Sequence, residues 1–216
     1  MLKYKTAVVI CSVFRPLQLK HVVESVPPEY RVVVMCWDKA VDTVAMDREV
    51  EVYEMPGASM CERSWFASGL LKEYNILGLC DDTLVFYDTI RKGEEQMERD
   101  FGNTDCVCGI QAFKERYIEL HYAFCIYGKE WIDRFKDRKF HYPGYKRFYV
   151  DKEWWVTAMY LKKWTFCFDA WIYHMPDLND KTHYLGDRDK ITDEDEAEYL
   201  RRRKEGLIWG VTDGQA

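Results

Sequence analysis

Asn75-Ile-Leu-Gly-Leu-Cys-Asp-Asp-Thr-Leu-Val-Phe86 runs an apolar segment into two adjacent carboxylates and returns at once to apolar residues. An apolar run without alternation, bounded by polar residues, reads as a strand buried on both faces, here Asn75–Cys80. Asp81 and Asp82 then stand at its carboxyl end. Paired acids at such a place bind a hard divalent cation, act as a general acid or base, or cap the next turn through their own side chains. The order of elements around them decides among these uses.

Upstream of this strand the chain alternates between strand-like and helix-like segments. Thr6–Phe14 is β-rich, and Leu17–Ser25 has helical spacing that places Leu19, Val22, Val23 and Val26 on one face until Pro27-Pro28 ends it. Arg31–Trp37 is a second apolar strand followed by Asp38, and Glu49–Met55 is a third, closed by Pro56-Gly57. Cys61–Tyr74 reads as a helix leading into the fourth strand. Strands separated by helices predict a parallel sheet covered on both sides. Ligands bind such sheets at the carboxyl ends of the strands. Asp38, Gly57 and Asp81-Asp82 are therefore expected along one edge.

Downstream the pattern changes. Cys106–Phe113, Ile118–Tyr127 and Thr165–Tyr173 read as strands, with helices at Lys129–Arg138 and Lys152–Lys162. A last helix has Thr192 as its expected N-cap, acids at Asp193–Glu196, basic residues at Arg201–Lys204 and a terminating Gly206, an arrangement that suits the helix dipole.

Composition is that of a globular α/β chain. The 216 residues suffice for one substantial core, and the expectation is a single domain with a nucleotide-binding half over about 1–82 and an acceptor-binding, catalytic half over about 83–216. The net charge of −6 leaves any polyanion contact to a local patch. Eight cysteines without a C-x-x-C pair fall mostly in apolar runs, as small hydrophobes in a reducing compartment do, which points to the cytoplasm. Met1–Phe14 superficially resembles a signal peptide, but its apolar run is short and no small-residue cleavage site follows, so it reads as a strand. No segment is long and apolar enough to span a membrane.

Taken in order, Ser12-Val-Phe-Arg-Pro16 after strand one, Asp38 after strand two, the Gly57 loop followed by Arg63, and the acids after strand four resemble the nucleotide-sugar-dependent glycosyltransferases of the GT-A fold, family 2-like members above all. The resemblance spans about Thr6 to Gly210. It implies a Rossmann-like, mostly parallel sheet flanked by helices, and transfer of a sugar from a nucleoside diphosphate donor, UDP favoured, to a hydroxyl on a glycan, glycoprotein or modified nucleic acid. Asp38 would contact the nucleobase, with Arg15, Gly57 and Arg63 in the nucleotide pocket. Asp81 would approach the ribose or a metal-bound water, and Asp82 would hold Mn²⁺ or Mg²⁺. His174, at the end of Trp171-Ile-Tyr-His174, would be the second metal ligand, with His183 a weaker candidate and Lys181 and Arg188 as helpers.

The chain departs from the pattern at Cys80. It occupies the position of the first acid of the Asp-x-Asp metal motif, and a thiol is a poor ligand for a hard cation. Phe148-Tyr-Val-Asp-Lys-Glu-Trp-Trp155 resembles the motif opening the helix that carries the catalytic base, which makes Asp151 the base with Glu153 as the second acid of the motif and transfer inverting. An N-cap with an acidic first turn accounts for the same residues. Trp154 and Trp155 either stack on a sugar or pack the core.

Arg134–Tyr149 holds basic residues interleaved with aromatics, a composition that binds phosphates and bases or forms a solvated helix end with buried rings. A non-catalytic carbohydrate- or nucleic-acid-binding module is one alternative. A sugar nucleotidyltransferase is another, although the segment after strand one lacks its glycines.

Overall fold

The computed structural model describes residues 5–12, 16–36, 48–114, 117–119, 124–146, 149–175 and 188–210. Strand β1 (Thr6–Ser12) is followed by α1 (Pro16–Ser25), β2 (Arg31–Cys36), β3 (Glu51–Glu54), α2 (Met60–Leu70) and β4 (Asn75–Cys80). Next come β5 (Thr83–Val85), α3 (Thr89–Phe101), β6 (Val107–Lys114), β7 (Tyr117–Glu119) and β8 (Cys125–Tyr127). The described chain continues through α4 (Lys129–Asp133), α5 (Val150–Tyr160), β9 (Trp164–His174) and α6 (Arg188–Glu205).

One sheet of nine strands runs through both halves in the order β3-β2-β1-β4-β8-β6-β9-β5, with β7 paired to β6. Strands β1 to β4 are mutually parallel where they pair. β8 is antiparallel to both β4 and β6, so β6 and its parallel neighbour β9 point the same way as β4. The carboxyl ends of β1, β2, β4, β6 and β9 thus share one edge, and β5 returns antiparallel along β9.

Two apolar layers explain why this arrangement holds. Leu19, Val22 and Val23 of α1 pack with Val8, Ile10, Val32 and Val34 on one face, where Ile90 and Met97 of α3 join them. Ala67 of α2, with Leu71 just after it, packs with Ala7, Val9, Val33 and Met35 on the other face, joined by Trp131, Trp154 and Ala158. Alternate residues of β1 feed opposite layers because successive side chains point to opposite faces. Each fully buried aliphatic side chain contributes about 1.5–3 kcal/mol.

α1 covers one face and carries the chain from β1 outward to β2, whereas α2 covers the other and brings it back past β1 to β4. The order therefore reverses between β1 and β4, where an open α/β sheet leaves a crevice at the carboxyl ends.

Several expected elements are revised. Of the strand expected over 118–127 the described residues form β7 and β8, and the helix expected over 129–138 stops at Asp133, followed by a 3₁₀ turn at Lys136–Arg138. β5 and α3 have no counterpart in the sequence reading. Thr192 lies inside α6, four residues past its start at Arg188, so it is not the N-cap. Gly206, with φ of +69°, ends that helix as expected.

Candidate active site at the carboxyl edge

The crevice between β1 and β4 holds Ser12 and the two acids. Ser12 Oγ donates to Asp81 Oδ2 at 3.0 Å across the two strand ends, and both residues are buried. Asp82 Oδ1 accepts from Thr83 Oγ1 at 3.3 Å, and the Asp82 carbonyl accepts from Met175 N at 2.8 Å. Antiparallel pairing of β5 with β9 sets Thr83 opposite His174. That register brings His174 Nε2 to 3.5 Å from Asp82 Oδ2. The His174 ring packs edge-on against Phe124, with centroids 5.5 Å apart.

Arg63 enters from the α2 side. Ser59 and Glu62 form a reciprocal capping box, with Glu62 N to Ser59 Oγ at 3.2 Å and Ser59 N to Glu62 Oε2 at 2.7 Å, which fixes the first turn of α2. Arg63 follows and is 3% exposed. Burial pushes the Cys11 thiol up to about 11, the Arg63 charge opposing the shift and the Asp81 charge adding to it. Arg63 and Asp81 therefore both act on the end of β1. Gly57 has φ of +75° in the turn closed by Ala58 N to Met55 O at 3.2 Å, a backbone requirement that accounts for the glycine.

Asp151 is half-buried in the first turn of α5, where its Oδ1 accepts from Lys152 N at 2.9 Å. Its charge adds to the upward shift that burial imposes on the Cys125 thiol and the Tyr127 hydroxyl. Cys125 lies one residue beyond the β4 pairing of Ile126 with Leu77, toward the carboxyl edge. Asp151 accordingly lies near β8.

Glu153 has a different environment. Its carboxylate accepts from Arg202 Nη2 at 2.7 Å and Nε at 3.0 Å, from Tyr145 Oη, and from Trp209 N at 3.3 Å. It is 6% exposed, and four donors occupy its oxygens. Trp154 is 3% exposed within the core. Asp38, Arg15, Lys181 and His183 lie outside the described residues, and Arg188 is placed by its backbone at the start of α6.

The basic and aromatic segment resolves into intramolecular contacts. Arg134 pairs with Asp105, Arg138 with Asp133, and Lys146 with Glu194, while Lys139 lies 5.2 Å from the Trp65 ring centre. Phe135, Phe140 and Tyr145 are buried, as is His141, whose imidazole burial pushes down to about 3 and so keeps neutral. The described residues of this segment favour the buried-ring reading. Ser12 and Phe124 were missed as site residues; only their places at strand ends mark them in the sequence.

No protein-family model matches the sequence, and no curated protein matches it. Solved structures do match. S. aureus TarS, residues 1–349, aligns over 79% of this chain and 60% of its own with 13% identity and a TM-score of 0.61. The chain therefore spans about 60% of that 1–349 segment and 38% of the longer TarS structure. The same protein in complex with UDP-GlcNAc aligns over 85% of this chain and 62% of its own, with 14% identity and a TM-score of 0.63. The chain has the GT-A fold. GalNAc-T7 with UDP, GalNAc and Mn²⁺ shares it more distantly, with 10% identity over 81% of this chain and 44% of that one and a TM-score of 0.52. At these identities the architecture is what is held in common. In this GT-A chain the acids after β4 occupy the switch-point crevice.

Among the described residues no cluster of three or more His, Cys, Asp and Glu side chains is disposed to hold a metal, and no helix is long and apolar enough to cross a membrane. Cys80 is half-buried and makes no third member with Asp82 and His174. A Mg²⁺-like ion is commonly held by one or two carboxylates with substrate phosphates and water filling the other positions; here Asp82 offers one such oxygen and His174 a ring nitrogen.

Proposed function

We propose that this chain is a glycosyltransferase that moves a sugar from a nucleoside diphosphate sugar, UDP-linked by preference, to an acceptor hydroxyl with the help of Mn²⁺ or Mg²⁺. The observation that carries the reading is the contact of Asp82 with His174 at 3.5 Å, where the carboxyl ends of β4 and β9 meet beside the Ser12–Asp81 contact in a GT-A sheet. The neighbouring folds with UDP, UDP-GlcNAc and Mn²⁺ bound support the donor class.

Breaking the bond between the anomeric carbon and the diphosphate leaves negative charge on the departing oxygens. The cation, when bound, supplies the positive charge that offsets it. Asp82 and His174 would hold it, with Thr83 and the Met175 amide fixing Asp82. Asp81, oriented by Ser12, would accept from a ribose hydroxyl, and Arg63 would add positive potential on the nucleotide side. Asp38 would face the base.

Asp151 would take the proton of the acceptor hydroxyl as that oxygen forms the new glycosidic bond and the diphosphate leaves from the opposite side, which inverts the anomeric centre. Glu153 is not assigned this role because four donors already occupy its carboxylate.

Release of nucleoside diphosphate from a panel of UDP-, GDP- and TDP-sugars, with and without Mn²⁺, tests the class. Asp151→Asn is expected to lower kcat by about 10²–10⁴-fold with donor affinity little changed. A variant impaired only in donor binding would contradict the base assignment.

A further inference from the structure

The start of α5 carries a strained residue that the proposed donor chemistry does not use. Tyr149, at the N-cap position, has φ of +62° and ψ of −10°, the left-handed region that a side chain other than glycine enters only at a cost in free energy. Its side chain makes no capping bond to the helix, and its carbonyl serves the first turn by accepting from Glu153 N at 2.9 Å. A glycine would make the same backbone bond without strain, so the ring accounts for a tyrosine at this place.

That ring belongs to a small cage. It lies against Tyr199 of α6, with centroids 5.4 Å apart and planes inclined by 32°, and Tyr199 is buried. The Lys152 ammonium sits 5.1 Å from the Tyr149 ring centre and 4.9 Å from that of Tyr199, within the range over which an aromatic face attracts a cation. The other end of Lys152 reaches an acid: its amide donates to Asp151 Oδ1 at 2.9 Å. One residue therefore joins an aromatic pair that spans two helices to the carboxylate of the proposed base.

Tyr199 and Arg202, three residues apart, share one face of α6. Tyr199 takes Lys152 and Arg202 takes Glu153, so α6 grips the first turn of α5 from one side. Residues two apart on a helix point about 200° away from each other. Asp151 thus faces away from Glu153, and its charge is felt by Cys125 and Tyr127 of β8. A general base must meet the proton it takes within hydrogen-bond reach, and a turn held on one side keeps the carboxylate on the other from wandering.

We propose that Tyr149 and Tyr199, acting through Lys152, are positioning residues that hold the Asp151 carboxylate for proton transfer. The catalytic part rests on the reading of Asp151 as the base; the grip on Asp151 does not.

Two variants test it. Tyr149→Gly accepts the left-handed backbone and removes the ring, and Lys152→Met keeps the stem and the amide and removes the charge. Amide hydrogen exchange at Lys152, read by NMR on folded protein, is expected to quicken about tenfold or more in both. With the donor that the nucleotide-sugar panel selects, kcat should fall about tenfold or more while donor KM stays at the wild-type value. Tyr149→Phe, which keeps the ring, should retain wild-type exchange and kcat, an outcome that a loss of general stability would not give. Wild-type exchange at Lys152 in both variants overturns the proposal, as does wild-type kcat in both where Asp151→Asn has lost it. Unchanged kcat in Asp151→Asn, with exchange at Lys152 still quickened in both variants, would instead overturn the base reading and leave the cage as a device of the fold.

Discussion

Asp81 and Asp82 put two carboxylates side by side in a buried crevice, at 3% and 5% exposure. A cation held there by Asp82 would stabilise the folded state by mass action. Asp82→Asn is therefore expected to abolish the additional stabilisation by UDP with Mn²⁺; thermal denaturation with and without both ligands checks this. The buried Glu94 of α3 is a residue out of balance. Its Oε1 accepts from Thr6 Oγ1 at 2.5 Å and its Oε2 has no hydrogen-bond partner. Burial pushes its carboxyl up to about 7, Thr6 opposing the shift and Glu95 adding to it. A carboxyl with a raised folded-state pKa binds protons more tightly when folded, so it costs stability as pH climbs from its ordinary range near 4.5 to about 7. Glu94→Gln is expected to be more stable than wild type at pH 8, the gap closing toward pH 4.5; urea titrations across that range measure it, and a constant gap would contradict the burial argument.

At the scale of elements, α6 is fastened to α5 by the Arg202–Glu153 pair, whose side chains are 3% and 8% exposed. Removing one partner leaves a buried charge without its counterion. Arg202→Ala is accordingly expected to cost about 3–5 kcal/mol in denaturant unfolding, and the paired replacement Glu153→Gln with Arg202→Met distinctly less. Gly128, just before α4, has no room for a side chain: an added Cβ would lie 1.8 Å from the Thr104 carbonyl oxygen, which is backbone and holds the Trp131 amide. Gly128→Ala should lower the melting temperature markedly or prevent folding. These close contacts are invisible in the sequence, and so are some elements. β1, β2 and β4 were legible because strands buried on both faces are continuous apolar runs. α3 was not, although its apolar and charged residues alternate at helical spacing, because Ile90, Met97 and Phe101 are few among seven charged residues and no long apolar run marks it. The start of α6 was misjudged because its acids serve the neighbouring loop instead of the helix end: Asp195 is buried and accepts from Lys146 N at 2.9 Å.

For the whole molecule, the reversal of strand order at β1 determines where chemistry can occur. Helices on each face close the two layers, and the carboxyl ends of β1 and β4 meet between them. The acids of the crevice could be located from the sequence because they sit at the end of a strand that reads clearly. The register that pairs Thr83 with His174 could not, since it depends on β5, three residues long, and on the bulge that shifts β9. A crystal soaked with Mn²⁺ and UDP, with data collected at the manganese edge, tests the central claim most directly. The account predicts an anomalous peak bonded to both Asp82 and His174 and to the diphosphate. Ordered UDP with no peak there, or a peak elsewhere, would contradict it.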